Sequence, residues 1–109
     1  MIPDERDLAW IVRRVRNLYD ASAIYLFGSC ATQTAHAKSD IDLLIVGPSG
    51  VPRERRGREV AAALAAFPRR FDLLFYTECE LAEELADPYS FMTRVMLAAQ
   101  PLYRTGRPV

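Results

Sequence analysis

The sequence is poor in the residues that most often carry chemistry. It has one histidine and two cysteines in 109 residues. Cys30 and Cys79 stand at no metal-ligand spacing, which excludes a recognisable zinc or thiol-redox motif and leaves two reduced thiols as the expectation. His36 has no serine, cysteine or second histidine at a meaningful distance, so it reads as a solvated loop residue rather than a base. Net charge is missing too. The 14 basic and 14 acidic side chains balance to zero, which removes the bulk attraction that nonspecific nucleic-acid binding depends on, and no direct nucleic-acid partner is expected. The longest apolar run, residues 60–67, falls far short of the ~18 residues a membrane helix needs. Charged residues (Asp4, Glu5, Arg6, Asp7) follow Pro3 at once, where a secretory leader needs apolar ones. No membrane contact and a cytoplasmic location are therefore expected. Repeats, low-complexity tracts and interdomain linkers are absent as well. Residues 1–109 read as a single domain, half of it hydrophobic, which is enough for one small core and for no second lobe.

What is present concentrates in residues 25–46, YLFGSCATQTAHAKSDIDLLIV. An apolar strand over 23–27 ends in Gly28-Ser29, a polar excursion follows, and Asp40 and Asp42 lead a second strand over 40–46. Carboxylates two apart in a strand share a face and lie roughly 7 Å apart at ~3.3 Å per residue. Charges that close repel unless a cation or water intervenes, and an all-oxygen ligand set favours Mg²⁺ or Mn²⁺. Gly28 lets backbone approach a phosphate closely, and the amides of a short helical turn beginning at Ser29 can cradle the anion. Ser39 shapes the turn before Asp40 and is a candidate nucleotide contact; Lys38 is read as solvated.

A third strand over 71–76 repeats the design of the second, with an acid, Asp72, ahead of two leucines. If the two strands are neighbours ~4.8 Å apart, Asp72 joins the face of Asp42 and completes a cluster able to hold two metal ions. Around these strands, Leu8, Ile11, Val12, Val15, Leu18 and Tyr19 recur at helical spacing, with Pro3 placed in the first turn. Trp10 stands off that apolar stripe, either covered by a C-terminal segment or free for a partner. The arginine-rich run at 53–58 opens a helix, where it opposes the helix dipole, and is read mainly as a solvated face. Val60, Ala63, Leu64 and Phe67 form the apolar side of that helix. Thr77 and Glu80 have the spacing of a capping box. Asp87-Pro88 is expected to start a last helix whose buried stripe is Phe91, Val95 and Ala98 or Ala99, with Met92 and Met96 beside it as core packing, and Leu102 and Tyr103 suit a short edge strand.

Gly-Ser, ten intervening residues and Asp-x-Asp resembles the minimal nucleotidyltransferases of the polymerase-beta-like superfamily. By chance this fixed pattern arises in a chain of this length on the order of once in a thousand, at ~5–7% per residue type. The chain departs from the family at Thr32 and Gln33, where members often carry Arg-Gly or Thr-Gly. The resemblance implies an α/β fold, a small mixed β-sheet covered by helices. Two Mg²⁺ ions on Asp40, Asp42 and Asp72 would then neutralise a nucleoside triphosphate, Gly28, Ser29 and Ser39 would contact it, and Asp72 would serve the acceptor hydroxyl.

Stand-alone domains of this kind are similar to the antitoxin half of HEPN/MNT toxin-antitoxin pairs. The resemblance implies transfer of AMP from ATP to a tyrosine of a partner HEPN ribonuclease; the shortness of the chain separately implies a hetero-oligomer or homo-oligomer that supplies the surface it lacks. Two other functions stay open on the sequence. One is a non-catalytic antitoxin that neutralises by contact alone, with Gln33 a sign of relaxed constraint; the other is nucleotidyl transfer to a small molecule.

Overall fold

Leu43, Leu44 and Ile45 are successive residues with no exposed surface. Since strand side chains alternate between faces, such a run requires cover on both sides of the sheet. The computed structural model, which describes residues 3–32 and 40–105, supplies that cover. Its elements run α1 (Glu5–Leu18), β1 (Ala23–Phe27), α2 (Ser29–Thr32), β2 (Ile41–Val46), α3 (Arg58–Leu64), β3 (Phe71–Tyr76), α4 (Glu78–Leu85), α5 (Phe91–Leu97) and β4 (Gln100–Arg104), with a 3-10 turn at Arg53–Arg55. The sheet is mixed, in the order β3-β2-β1-β4. β1 pairs antiparallel with both β2 and β4, while β2 and β3 are parallel and joined through α3.

One face carries Ile24, Leu26, Ile41, Leu43, Ile45 and Phe75 against Ile11 and Val15 of α1 and Val60 and Leu64 of α3. The other carries Tyr25, Phe27, Leu44, Val46 and Tyr76 against Met92 and Val95 of α5, with Leu81 of α4 alongside. The acid-bearing face is thus partly roofed by α4 and α5.

Local details sharpen several expectations. α1 begins at Glu5, two residues after Pro3, because Asp4 caps it: the Asp4 carboxylate accepts from the Asp7 amide at 2.9 Å and Asp7 accepts from the Asp4 amide at 3.0 Å. Trp10 is covered by Phe67, ring centroids 5.7 Å apart, rather than by the C-terminal segment, and Arg14 lies over its ring. The Thr77–Glu80 capping box forms as expected. α5 starts at Ser90, whose hydroxyl accepts from the Thr93 amide, and not at Asp87-Pro88. Val95 is buried as expected and Met92 beside it fully so, whereas Phe91 is 60% exposed.

Arg53, Arg55 and Arg58 of the arginine run are exposed, as expected of a solvated face, but Arg56 is not. The Arg56 side chain is 5% exposed and meets Glu80 at 2.6 Å; it also donates to the carbonyls of Val51 and Phe75. Arg53 stacks on Tyr76 and donates to its hydroxyl. The charges that seemed to oppose a helix dipole instead fasten the 3-10 turn to β3 and to the start of α4.

Candidate functional site

Asp42 occupies the middle of the site because strand pairing puts it there. Its partner across the antiparallel pair is Phe27, the last residue of β1, and its partner across the parallel pair is Asp72. Asp40 lies two residues earlier on the same face, just ahead of β2. The three expected acids therefore gather at one end of two adjacent strands. Their environments differ: Asp72 is exposed, the Asp40 side chain is 44% exposed with Arg70 at 4.0 Å, and Asp42 is largely enclosed. Burial, and after it the charges of Asp72 and Asp40, push the Asp42 carboxyl up to about 6. A cation bound here would relieve the same repulsion that raises the proton affinity of this carboxylate.

Gly28 borders this carboxylate directly. It takes a left-handed backbone (φ 71°), and a Cβ built on it would collide with Asp42 Oδ2. The sequence pointed to glycine for close approach of a phosphate; the structure adds that this glycine makes room for the acid. Ser29 follows as the first residue of α2. Cys30, in the short helical turn expected after Ser29, is a core residue of α2; its thiol lies 3.6 Å from the Asp40 carbonyl, and burial raises its pKa. Ser39, Lys38, His36 and Gln33 lie outside the described residues.

The donor set suits a hard divalent ion. It consists of carboxylate oxygens alone, on one face, with the central one destabilised as an anion. Among the described residues no three such side chains converge into a ready-made cage. Mg²⁺ commonly completes its octahedron with water and substrate phosphates rather than with protein alone, so an open set of strand-end acids fits its habits.

Beside Gly28 and Ser29 a cavity of about 420 Å³ opens towards α5, lined by Phe27, Phe91, Arg94, Val95 and Ala98. Sequence reasoning missed Arg94 and placed Phe91 in the core. The signal lay in the spacing 91, 94, 95, 98, which is one side of a helix once its start is fixed at Ser90. Two larger grooves, along residues 52–58 and along α1, contain none of the three acids.

Comparison with known proteins agrees with this geometry. Residues 8–95 match the family model described as "Nucleotidyltransferase domain". No curated protein matches the chain significantly. Among solved structures, a toxin-antitoxin complex with AMP-PNP is similar at a TM-score of 0.66 and 24% identity, over 92% of this chain and 75% of that one. The MntA-HepT toxin-antitoxin superposes at 0.60 and 22% identity, over 94% and 74%. A complex of tri-AMPylated Shewanella oneidensis HEPN toxin with MNT antitoxin does so at 0.56 and 20%, over 90% and 70%. At these identities the solved structures establish a shared fold.

Proposed function

The chain belongs to the nucleotidyltransferase domain family, and from that membership we propose that it is a Mg²⁺-dependent protein adenylyltransferase, moving AMP from ATP to a tyrosine hydroxyl of a partner HEPN-type toxin and so acting as its antitoxin. The observation that carries the proposal is the position of Asp42, enclosed between Asp72 and Asp40 on one face and set against Gly28 at the end of β1. The partner class is supported by neighbours of the same fold that are antitoxins in complex with HEPN toxin, one of them with the toxin tri-AMPylated, and another complex that holds AMP-PNP.

In this assignment Asp40 and Asp42 would hold the Mg²⁺ ions, and Asp72 would serve the acceptor. Bound there, Mg²⁺ would supply charge neutralisation of the triphosphate and of the leaving pyrophosphate. The backbone at Gly28 and Ser29, with Ser39 completing the contact, orients the β- and γ-phosphates. Asp72, the exposed acid at the edge of the group, is placed to take the tyrosine proton as the hydroxyl oxygen bonds to the α-phosphorus. The bond to the bridging oxygen breaks, pyrophosphate leaves, and AMP stays on the tyrosine. Transfer from α-labelled ATP to the partner is the test. Label on the partner with Mg²⁺ present, and none with Asp42→Asn, is the expected result; equal labelling by both proteins would refute the assignment.

A further inference from the structure

The acids and the ions they hold leave a charge unaccounted for. A triphosphate and three carboxylates together exceed what two divalent cations neutralise, so the tail of the nucleotide needs a positive group of the protein's own. Near the acids, Arg70 is already drawn to Asp40. Arg94 is different. It stands on α5 with its side chain exposed, it enters no ion pair among the described residues, and it lines the same cavity as Gly28 and Ser29. At about 420 Å³ the cavity is within the ~300–1,000 Å³ typical of small-molecule sites.

Resting on the nucleotidyl-transfer assignment, we propose that the cavity between α5 and the Gly28-Ser29 turn receives the β,γ-diphosphate end of the nucleotide, and that Arg94 is the cation that binds it and then the pyrophosphate product. Three features of the geometry lead there. The side of the cavity that meets the acids is the Gly28-Ser29 turn, so a phosphate chain running away from Asp42 past this turn enters beside Arg94. A guanidinium presents a planar fork of donors that matches phosphate oxygens two at a time, and it stays charged at every working pH. The helix holding it is fixed, since Met92 on its opposite side and Val95 at the cavity's edge are buried in one cluster with Phe27, Tyr25 and Leu44. Arg94 is thus presented by a rigid element, whereas Phe91 beside it gives the cavity an apolar wall.

Calorimetric titration separates the possible occupants. ATP, AMP and inorganic pyrophosphate are titrated with Mg²⁺ into the wild type, Arg94→Gln, Arg94→Lys and Phe91→Ala, after thermal melts confirm that each variant folds. Arg94→Gln is expected to lose about tenfold or more in affinity for ATP and pyrophosphate, with AMP unchanged, and Arg94→Lys to recover part of the loss. Unchanged pyrophosphate affinity in a folded Arg94→Gln protein overturns the role of Arg94 while nucleotidyl transfer stands. AMP affinity that falls with Arg94→Gln or Phe91→Ala while pyrophosphate affinity holds means that the cavity takes the nucleoside instead, and overturns the proposal as well. A wild type that binds neither ATP nor pyrophosphate defeats both this proposal and the transferase assignment.

Discussion

The carboxylate of Asp42 lies against the α-carbon of Gly28, in the space that any other residue's Cβ would need. The loop glycine and the strand aspartate, fourteen positions apart, therefore form one unit: φ of 71° at Gly28 turns the chain out of β1, and the missing side chain lets Asp42 stand upright beside it. Gly28→Ala is expected to cost roughly 1–2 kcal/mol from the left-handed backbone alone and more from the displaced carboxylate. In the background of Asp42→Ala the second part should vanish. Urea unfolding of the two single variants and the double variant gives the coupling directly. Strictly additive losses would show that the contact has no energetic weight.

Because the raised pKa of Asp42 comes first from burial and then from Asp72 and Asp40, its ionisation opposes folding in the metal-free protein. The folded carboxyl titrates at about 6 against a reference value of 3.8, so the native state binds more protons between those values and stability falls as pH rises through that window. Metal-free Asp42→Asn should accordingly match or exceed the wild type in stability above pH 6, and its advantage should disappear as pH drops towards 4. Mg²⁺ reverses the order, since it requires the anion. Its apparent affinity for the wild type is expected to fall by about tenfold per pH unit below 6, one proton being displaced per ion bound at this carboxylate. Thermal melts across pH, with and without Mg²⁺, test both statements; a stability gap independent of pH would contradict the first.

How much of this was legible in the sequence depends on the range of the interaction concerned. β1 at 23–27 and the Thr77–Glu80 cap were readable because each is decided within a few residues. The acids were readable because period-two alternation puts Asp40 and Asp42 on one face whatever the rest of the chain does, and Asp72 joins them once β3 lies beside β2. The start of α5 was misplaced because Asp87-Pro88 and Ser90 both carry helix-start chemistry, and the burial of Met92 in place of Phe91 is decided by packing against the sheet. The burial of Arg56 was invisible because its partner, Glu80, is 24 residues away. The order β3-β2-β1-β4 and the second helical layer over the acid face likewise rest on contacts between elements. Ser39 lies outside the described residues, and its role remains a proposal.

The bidentate pair of Arg56 with Glu80, at 2.6 and 3.0 Å, should be a main fastening of the 3-10 turn to the sheet. Arg56→Met removes it and also strips donors from the carbonyls of Val51 and Phe75. The expected cost at neutral pH is about 3 kcal/mol, at the lower end for breaking an enclosed pair because Glu80 keeps 29% exposure. The hydrogen bond from Arg56, followed by that from the Thr77 amide, holds Glu80 down at about 2 against a reference of 4.5. Its contribution is therefore present above pH 4.5 and is lost as pH falls towards 2. Denaturant melts of wild type and variant should converge over that interval, and a gap that persists undiminished at pH 2 would mean that packing rather than charge accounts for the loss.

A catalyst and a contact antitoxin both bind the toxin, but only the catalyst leaves a covalent mark. Incubated with this protein, ATP and Mg²⁺, a HEPN-type partner should gain the mass of AMP on a tyrosine and stay inactive after this protein is removed. The Asp40→Asn, Asp42→Asn double variant keeps the volume of both side chains and leaves the α1 face, Trp10 and the 52–58 groove unchanged, so it should still dock, and it should leave no mark. Partner inhibited by the variant should regain ribonuclease activity on separation, whereas partner treated with the wild type should not. If both proteins inhibit equally, both inhibitions reverse on separation, and neither adds mass, then Asp40 and Asp42 serve the architecture of the strand end and neutralisation is by contact.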